Sequence, residues 1–406
     1  MKKLLIIAVC ALLMVPFLAG CPRLMPEAVP ETETTAPTEW IIEAVEEEKA
    51  YEGLTLTLLP LWQAESPEAA VLTQAAEVFE VQTGCHVEIL WNGSEEGTAD
   101  LYQIPGEELA GYTERILDLT EMAAGAGYAE KSFQRLTDQV ISCCGHLGAI
   151  PQSPYVTGFY YNTEAFGASG VIQAPEDWER FLSVSTLLRS GGYQVLTFDG
   201  EQADELLVTH LTQHLGAETV QNLMASGGWE REEVLAAVTE IFDFVLAGNL
   251  TAGTPAGTNR IATSNTAIAY GTNALCARAE AAALADLSWG MFPYPAAAGS
   301  EGGIGISADV LAIDASCPEP QAAFDFIMLL TTGEFDQLRT DVTIGIPADP
   351  ANICPIEGAA EALEQARILQ VPQTDLTEKQ GGYILKLWKG KYEDVSEFLK
   401  DLQKHY

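Results

Sequence analysis

Basic side chains are scarce in this chain: 20 Lys and Arg stand against 58 Asp and Glu, a formal charge of −38 over 406 residues. Such a charge repels nucleic acid and anionic membrane unless a basic patch is concentrated somewhere. None is found. Lys379, Lys386, Lys389, Lys391, Lys400 and Lys404 gather in the C-terminal tail, at a spacing that reads as solvated helix surface. Catalytic and metal-ligating patterns are equally thin. Only five histidines are present; His210 and His214 stand at i and i+4, but Leu211 replaces the Glu that H-E-x-x-H chemistry needs. No G-x-S-x-G, P-loop or G-x-G-x-x-G in proper context occurs. With so many carboxylates, an Asp/Glu pair says nothing about glycoside hydrolysis, and internal repeats are missing. The expectation is no enzyme, no cofactor, no metal and no nucleic acid partner.

Beyond the amino end no stretch is apolar enough to span a bilayer. The amino end itself is patterned. Met1-Lys2-Lys3 is a basic n-region, residues 4–17 form an apolar run broken by Pro16, and Leu18-Ala19-Gly20-Cys21 is a small-residue cleavage site ending in cysteine. This resembles a bacterial lipobox. The resemblance implies cleavage after Gly20 and a diacylglycerol thioether on Cys21, with two or three acyl chains of the palmitate kind holding the protein to a membrane. Loss of residues 1–20 removes Lys2 and Lys3 and no acid, which takes the charge from −38 to −40. Residues 21–52 then carry Pro22, Pro26, Pro30, Pro37 and the run Glu46-Glu47-Glu48. Proline stiffens and like charges extend such a segment, so it reads as a tether that lifts a folded body off the membrane.

The body has the composition of a globular protein, 48% hydrophobic, and a length suited to two or three domains. Once Cys10 and Cys21 are set aside, Cys85, Cys143, Cys144, Cys276, Cys317 and Cys354 remain without C-x-x-C spacing, so neither a zinc site nor a disulfide framework is indicated. A bond within Cys143-Cys144 would be strained, and two thiols are expected there. From Gly53 strands and helices alternate. Residues 54–59 read as a strand, and 67–82 as a helix with Ser66 as N-cap, Pro67 in its first turn and Ala70, Val71, Ala75, Val78 and Phe79 inside, ending at Gly84. Residues 86–90 and 101–104 are further strands, and 148–151 with 158–161 another extended passage. That order gives parallel sheet covered by helices, an α/β fold.

At these residues the chain resembles the bacterial extracellular solute-binding proteins of ABC importers, the family of maltose- and oligosaccharide-binding proteins. Leu56 to Trp62, then Phe79-Glu80-Val81-Gln82-Thr83-Gly84 leading into Val87-Glu88, is similar to the family's opening. Leu147-Gly148-Ala149-Ile150-Pro151, Thr157-Gly158-Phe159-Tyr160-Tyr161-Asn162, Phe166, Gly170, Ala174-Pro175-Glu176-Asp177-Trp178 and Phe181 follow its pattern G-x-x-I-P … G-x-x-Y-N … F … G … P-x-T-W-x-x-F. Ala322-Ala323-Phe324-Asp325-Phe326-Ile327 with Leu330-Thr331-Thr332 and Gly345-Ile346-Pro347-Ala348 supplies the third match. There are two departures. Only Trp91 to Asp100 stands where the family usually inserts a helix, and Thr272-Asn273 stands where a Trp often follows the glycine of A-x-x-x-G-x-W.

The resemblance implies a two-lobed, periplasmic-binding-protein-like fold, two parallel-rich sheets with flanking helices joined by hinge crossings. Residues 53–151 and 308–343 would form lobe 1, 159–301 and 349–406 lobe 2, and 152–158, 302–307 and 344–348 the hinges. A sugar shows an apolar C–H face and an equator of hydroxyls, so its site needs aromatic rings and planar amides or carboxylates, on loops beyond the carboxyl ends of strands. Trp62 and Glu65 follow the first strand and meet both needs, although Trp62 also suits packing on its own domain. Trp91-Asn92 ends the second strand similarly; the altered loop favours a packing role there. Tyr155, between Pro151 and the Tyr160-Tyr161-Asn162 strand, is expected as an exposed ring on the first crossing, with Tyr160 and Tyr161 in the core. Tyr270, Thr272 and Asn273 follow an apolar strand at 266–269. Gly303, with Gly302, either lets backbone approach ligand or only forms a hinge. Trp229 reads as a staple for a helix from about Glu230, and Trp289 as a packing residue.

The expected function is a membrane-anchored, extracytoplasmic monomer that closes two lobes on a small polar ligand and delivers it to ABC permease subunits. The ligand is expected to be a carbohydrate, neutral or cationic because the presumed cleft loops show no clustered Arg. A binding lipoprotein for a non-sugar solute or metal, or a surface-interaction lipoprotein, is the alternative. The amino end can be checked alone: mass spectrometry of membrane-extracted protein should find a mature terminus at acylated Cys21, and an intact chain with unmodified Cys21 would refute the lipobox reading.

Overall fold

The computed structural model describes residues 49–406 except 92, 94–97, 252, 264, 284–286, 298–299 and 373–375. The signal segment, Cys21, most of the tether and Asn92 thus lie outside the described residues. Among the described residues, no helix is long and apolar enough to cross a membrane.

The first unit forms for local reasons. Ser66 Oγ accepts the Ala69 N–H, Pro67 occupies the first turn, and Gly84 closes the helix Pro67–Thr83 in the left-handed region at φ 80°, where glycine carries no Cβ penalty. The buried stripe is Ala69, Leu72, Ala76 and Phe79 with Val71 and Ala75 beside it. Ala70, expected inside, is exposed because it falls one position off that 3.6-residue stripe.

Ten strands follow in the order β1 (Thr55–Leu59), β2 (His86–Ile89), β3 (Leu101–Ile104), β4 (Ile150–Asn162), β5 (Gln194–Thr197), β6 (Thr266–Thr272), β7 (Trp289–Phe292), β8 (Gly303–Ile313), β9 (Ile356–Glu357) and β10 (Arg367–Ile368). Their main path is β2-β1-β3-β8-β4-β6-β5, with β7 between β4 and β9, and β10 on β8. Pairings β1–β2, β1–β3 and β5–β6 are parallel, as strand–helix alternation requires. The join is antiparallel: β3 to β8, β8 to β4, and β4 to β6.

Two separate cores lie along this sheet. One gathers Leu56, Leu58, Phe79, Leu101, Ile150, Leu311, Phe324 and Phe326 under the helices Pro67–Thr83 and Pro320–Thr331. The other gathers Phe159, Phe181, Phe198, Trp229 and Tyr270 with helices including Gln202–Leu215, Glu232–Leu246 and Glu378–Trp388. A third cluster, with Val156, Tyr160, Cys276, Trp289, Ile304 and Ile346, covers the opposite face of the second part. Tyr160, Tyr161 and Trp289 are buried as expected. Trp229 is not a staple at a helix end: it is fully buried, its backbone N–H donates to Gln403 Oε1, and the next helix begins only at Glu232. The six described cysteines are all free thiols.

β4 is the largest departure from the sequence reading. The extended passage read at 148–151 and 158–161 is continuous: residues 150–162 form one strand of 13 residues, which runs straight through the 152–158 segment read as a hinge crossing. Pro151 sits at a register shift between Pro151 and Ser153, where a missing N–H breaks no ladder. On the other edge, β6 pairs with β4 only as far as Thr272 opposite Thr157. Asn273 then continues the ladder with its side chain: Oδ1 accepts the Val156 N–H at 2.9 Å and Nδ2 donates to the Pro154 carbonyl at 3.1 Å. Both backbone groups are buried, so each would cost about 1–3 kcal/mol if unpaired. Asn273→Ala should therefore destabilise by about 2–4 kcal/mol, read as a lower denaturant midpoint. An unchanged midpoint would show that the amide does not hold the strand.

Candidate ligand-binding cleft

The segment of β4 and β8 between the two cores carries the polar residues that the cores exclude. A cavity of about 430 Å³ opens there, lined by Trp62, Tyr155, Asn273, Arg278, Arg339 and others. Trp62 packs partly against the first core and also lines this cavity. Its loop is fixed by an amide chain: the Leu61 N–H donates to Gln103 Oε1, and Gln103 Nε2 donates to Gln152 Oε1 at 2.8 Å. Buried amides satisfied in this way orient their neighbours as well as stabilising them.

Tyr155 lies on β4 opposite Ser307 of β8. It is half-buried in a strand rather than exposed on a crossing, and its hydroxyl donates to Asp309 Oδ2 at 2.8 Å. The expectation of a freely projecting ring fails because the Pro151 bulge and the Asn273 latch let the strand run through. Burial first, then the Asp309 charge, pushes the Tyr155 hydroxyl well up. Burial pushes the Asp309 carboxyl up to about 6; the Tyr155 bond and Arg339 oppose this, and Glu107 adds to it.

The cavity also corrects the expectation of a cleft without arginine, since Arg278 and Arg339 both line it. Each has its own carboxylate. Arg278 pairs with Asp199 at 3.2 Å, and Arg339 with Asp336 at 2.7 Å, both members of the latter pair being buried. Asp336 further accepts the backbone N–H groups of Ala348 and Asp349 and the amide of Asn352, while Arg339 donates to the Ile346 carbonyl. One buried ion pair thus ties down the third passage between the cores. There Ile344 takes φ 48°, a conformation that a β-branched residue adopts only when its surroundings impose it.

Beyond Tyr155, a second cavity of about 440 Å³ is lined by Thr157, Glu205, Thr209, Tyr270, Gly303, Ser307 and others. Tyr270 is expected at a strand end but lies within β6, 1% exposed, its ring in the second core and its hydroxyl near Thr209 at 3.1 Å. Gly303 is needed for packing, since a Cβ there would stand 2.4 Å from Leu369 Cγ. Thr272 is half-buried opposite Thr157. Glu65 is exposed and lines neither cavity; the acid at the first is Glu68, one turn further along. The structure therefore brings together Trp62, Tyr155 and Asn273 at one cavity and Tyr270 and Gly303 at the other. Sequence reasoning missed Glu68, Arg278, Asp309 and Arg339. The helical residues among these read as surface charge, and only the i, i+3 spacing of Asp336 and Arg339 hinted at a pair.

Several solved structures share this architecture. A binding protein, MsmE, of Bacillus subtilis in an open conformation superposes with TM-score 0.65 at 15% identity, over 87% of this chain and 96% of its own. The maltose-bound MalE3 of T. maritima gives 0.60 at 16% identity, over 87% and 98%. A sugar transporter of Bacillus licheniformis in complex with stachyose gives 0.57 at 14% identity, over 87% and 99%. At such identities the likeness concerns the fold, which is the two-lobed α/β fold of solute-binding proteins. No curated protein matches the sequence. The family model described as bacterial extracellular solute-binding protein matches residues 65–334, about two thirds of the chain, and this protein belongs to that family.

Proposed function

We propose that the protein is a lipid-anchored capture subunit that closes on a small neutral carbohydrate and hands it to an ABC permease. The carrying observation is the first cavity, where Trp62 from one core and the Tyr155 ring from the strand joint flank a space near the Asn273, Glu68 and Arg278 side chains. Flat rings suit the C–H face of a sugar and planar polar groups its hydroxyls. The maltose and stachyose bound to two of the structural neighbours support the same ligand class.

Charge balance favours a neutral ligand. Asp199 and Asp336 already compensate Arg278 and Arg339, which leaves Glu68 as the unpaired charge at the first cavity. An anionic sugar would have to displace one of those carboxylates. In this reading residues 53–151 with 308–343, and 159–301 with 349–406, are the lobes. The passages 152–158, 302–307 and 344–348 bend as they close. Cys21 anchors the chain outside the cytoplasm, the acidic tether lifts the lobes, and the protein acts as a monomer.

A thermal-shift screen against neutral mono- and oligosaccharides tests this, since a ligand at 100 times its Kd adds about 2.7 kcal/mol of stability. With the ligand found, Tyr155→Ala should weaken binding about 5- to 150-fold by loss of an aromatic face worth about 1–3 kcal/mol. Tyr155→Phe keeps the ring and should bind within a few-fold of wild type. Normal binding by both variants would remove Tyr155 from the site.

The Asp309 carboxyl sets a separate expectation. Its folded-state value near 6 exceeds the ordinary carboxylate value of 3.8, so the native state holds the proton more tightly. Its cost to stability is absent below about pH 4 and is fully present above about pH 6, at about 3 kcal/mol for a shift of about two units. Asp309→Asn, which can still accept from Tyr155, should be more stable than wild type at pH 7 and equal to it at pH 4. Denaturation curves at the two pH values decide this, and a gap independent of pH would contradict the assignment.

A further inference from the structure

Outside the cleft, the helix Gln202–Leu215 presents His210 and His214 one turn apart, facing Glu240 on the neighbouring helix Glu232–Leu246. In sequence the pair lacks the glutamate of a metal motif; the fold brings one from another helix. One ligand atom from each residue lies within 4.8 Å of the other two. We propose that His210 Nε2, His214 Nε2 and Glu240 Oε2 form a binding site for a divalent transition metal ion of the zinc class, separate from the solute cleft.

The donor set and geometry argue for it. Imidazole nitrogen and carboxylate oxygen are zinc ligands with bonds of about 2.0–2.2 Å, so donors on one tetrahedral ion stand roughly 3.3 Å apart. His214 Nε2 and Glu240 Oε2 are 3.3 Å apart, and His210 Nε2 is 3.9 Å from the same oxygen. Small side-chain rotations close the triangle. Glu240 Oε2 is buried without a hydrogen-bond partner, a costly state for a carboxylate oxygen that a cation would relieve. His210 is fully buried, where the neutral imidazole, the form that ligates, is favoured. Its Nδ1 lies 2.8 Å from the Tyr294 hydroxyl, an outer partner that can accept the ring N–H once Nε2 turns to metal. The bond that must be given up, from His210 Nε2 to the Ala237 carbonyl, leaves an oxygen already used by the helix ladder. His214 and Glu240 reach the surface, with side chains 14% and 39% exposed, so an ion can enter and water can complete its shell.

The test uses the full chain, freed of metal by a chelator and titrated calorimetrically with Zn²⁺ alone. One equivalent should bind, and the Co²⁺ form should show ligand-field bands without thiolate charge transfer, which excludes the exposed Cys143 as a ligand. His214→Ala and Glu240→Gln, judged folded by unchanged metal-free melting, should each weaken binding by about 100-fold or more, since even outer partners are worth 10–100-fold. Absence of a single tight equivalent in the wild type, wild-type affinity in both variants, or a cobalt–thiolate band would each overturn the proposal.

Discussion

The antiparallel pairing of β4 with β8 is the constraint on which the rest depends. Each strand starts in one core and ends in the other: Ile150 and Leu311 are buried together in the first, while Phe159 belongs to the second. Apolar side chains anchor both ends in place. Between them the pair carries Ser153, Tyr155, Thr157, Ser307 and Asp309, which no core could bury without partners. The polar middle of the two strands thus separates the cores and lines both cavities.

Satisfaction of the backbone explains which side chains are held back from ligand. Asn273 stands where the family often has an aromatic residue, and its amide is spent on the Val156 N–H and the Pro154 carbonyl. Loss of a ring at this position accompanies gain of a strand-end clasp. On the proposed reading, Trp62 and Tyr155, which line the same cavity, supply the stacking area instead. The same accounting applies at the third passage, where Asp336 takes donors from Arg339, Ala348, Asp349 and Asn352 at once. Removing either member of that buried pair would leave an uncompensated charge, which is far costlier than the pair is stabilising.

Legibility in the sequence followed the range of the interactions. The strand–helix–strand opening was readable because Ser66, Pro67 and Gly84 act within a few residues of where they stand. The family pattern carried the two-lobed fold, since its motifs run in order along the chain. What could not be read was set by pairing across long separations. Pro151, Pro154 and Gly158 locally signal a break, yet the β8 and Asn273 partners, more than 100 residues away, make one strand of them. Tyr270 looked like a strand-end residue because the apolar run stops at Ala269; the second core reaches it through Thr209 and Phe159 from other elements. Glu240 could not be joined to His210 and His214 for the same reason.

Charge distribution draws these threads together. Acids outnumber basic residues by 38, so an average surface site would be strongly negative and would favour cations over neutral solutes. Two of the few arginines line the first cavity, each opposite an acid of its own. A buried pair such as Arg339–Asp336 adds little net stability, but it brings no net charge to the cavity and ties down the segment from Ile346 to Asp349. Salt screens the outer carboxylates over about 8–10 Å and reaches the buried pair much less. The paired charges at the cavity therefore change little with ionic strength, while the exposed carboxylates are screened.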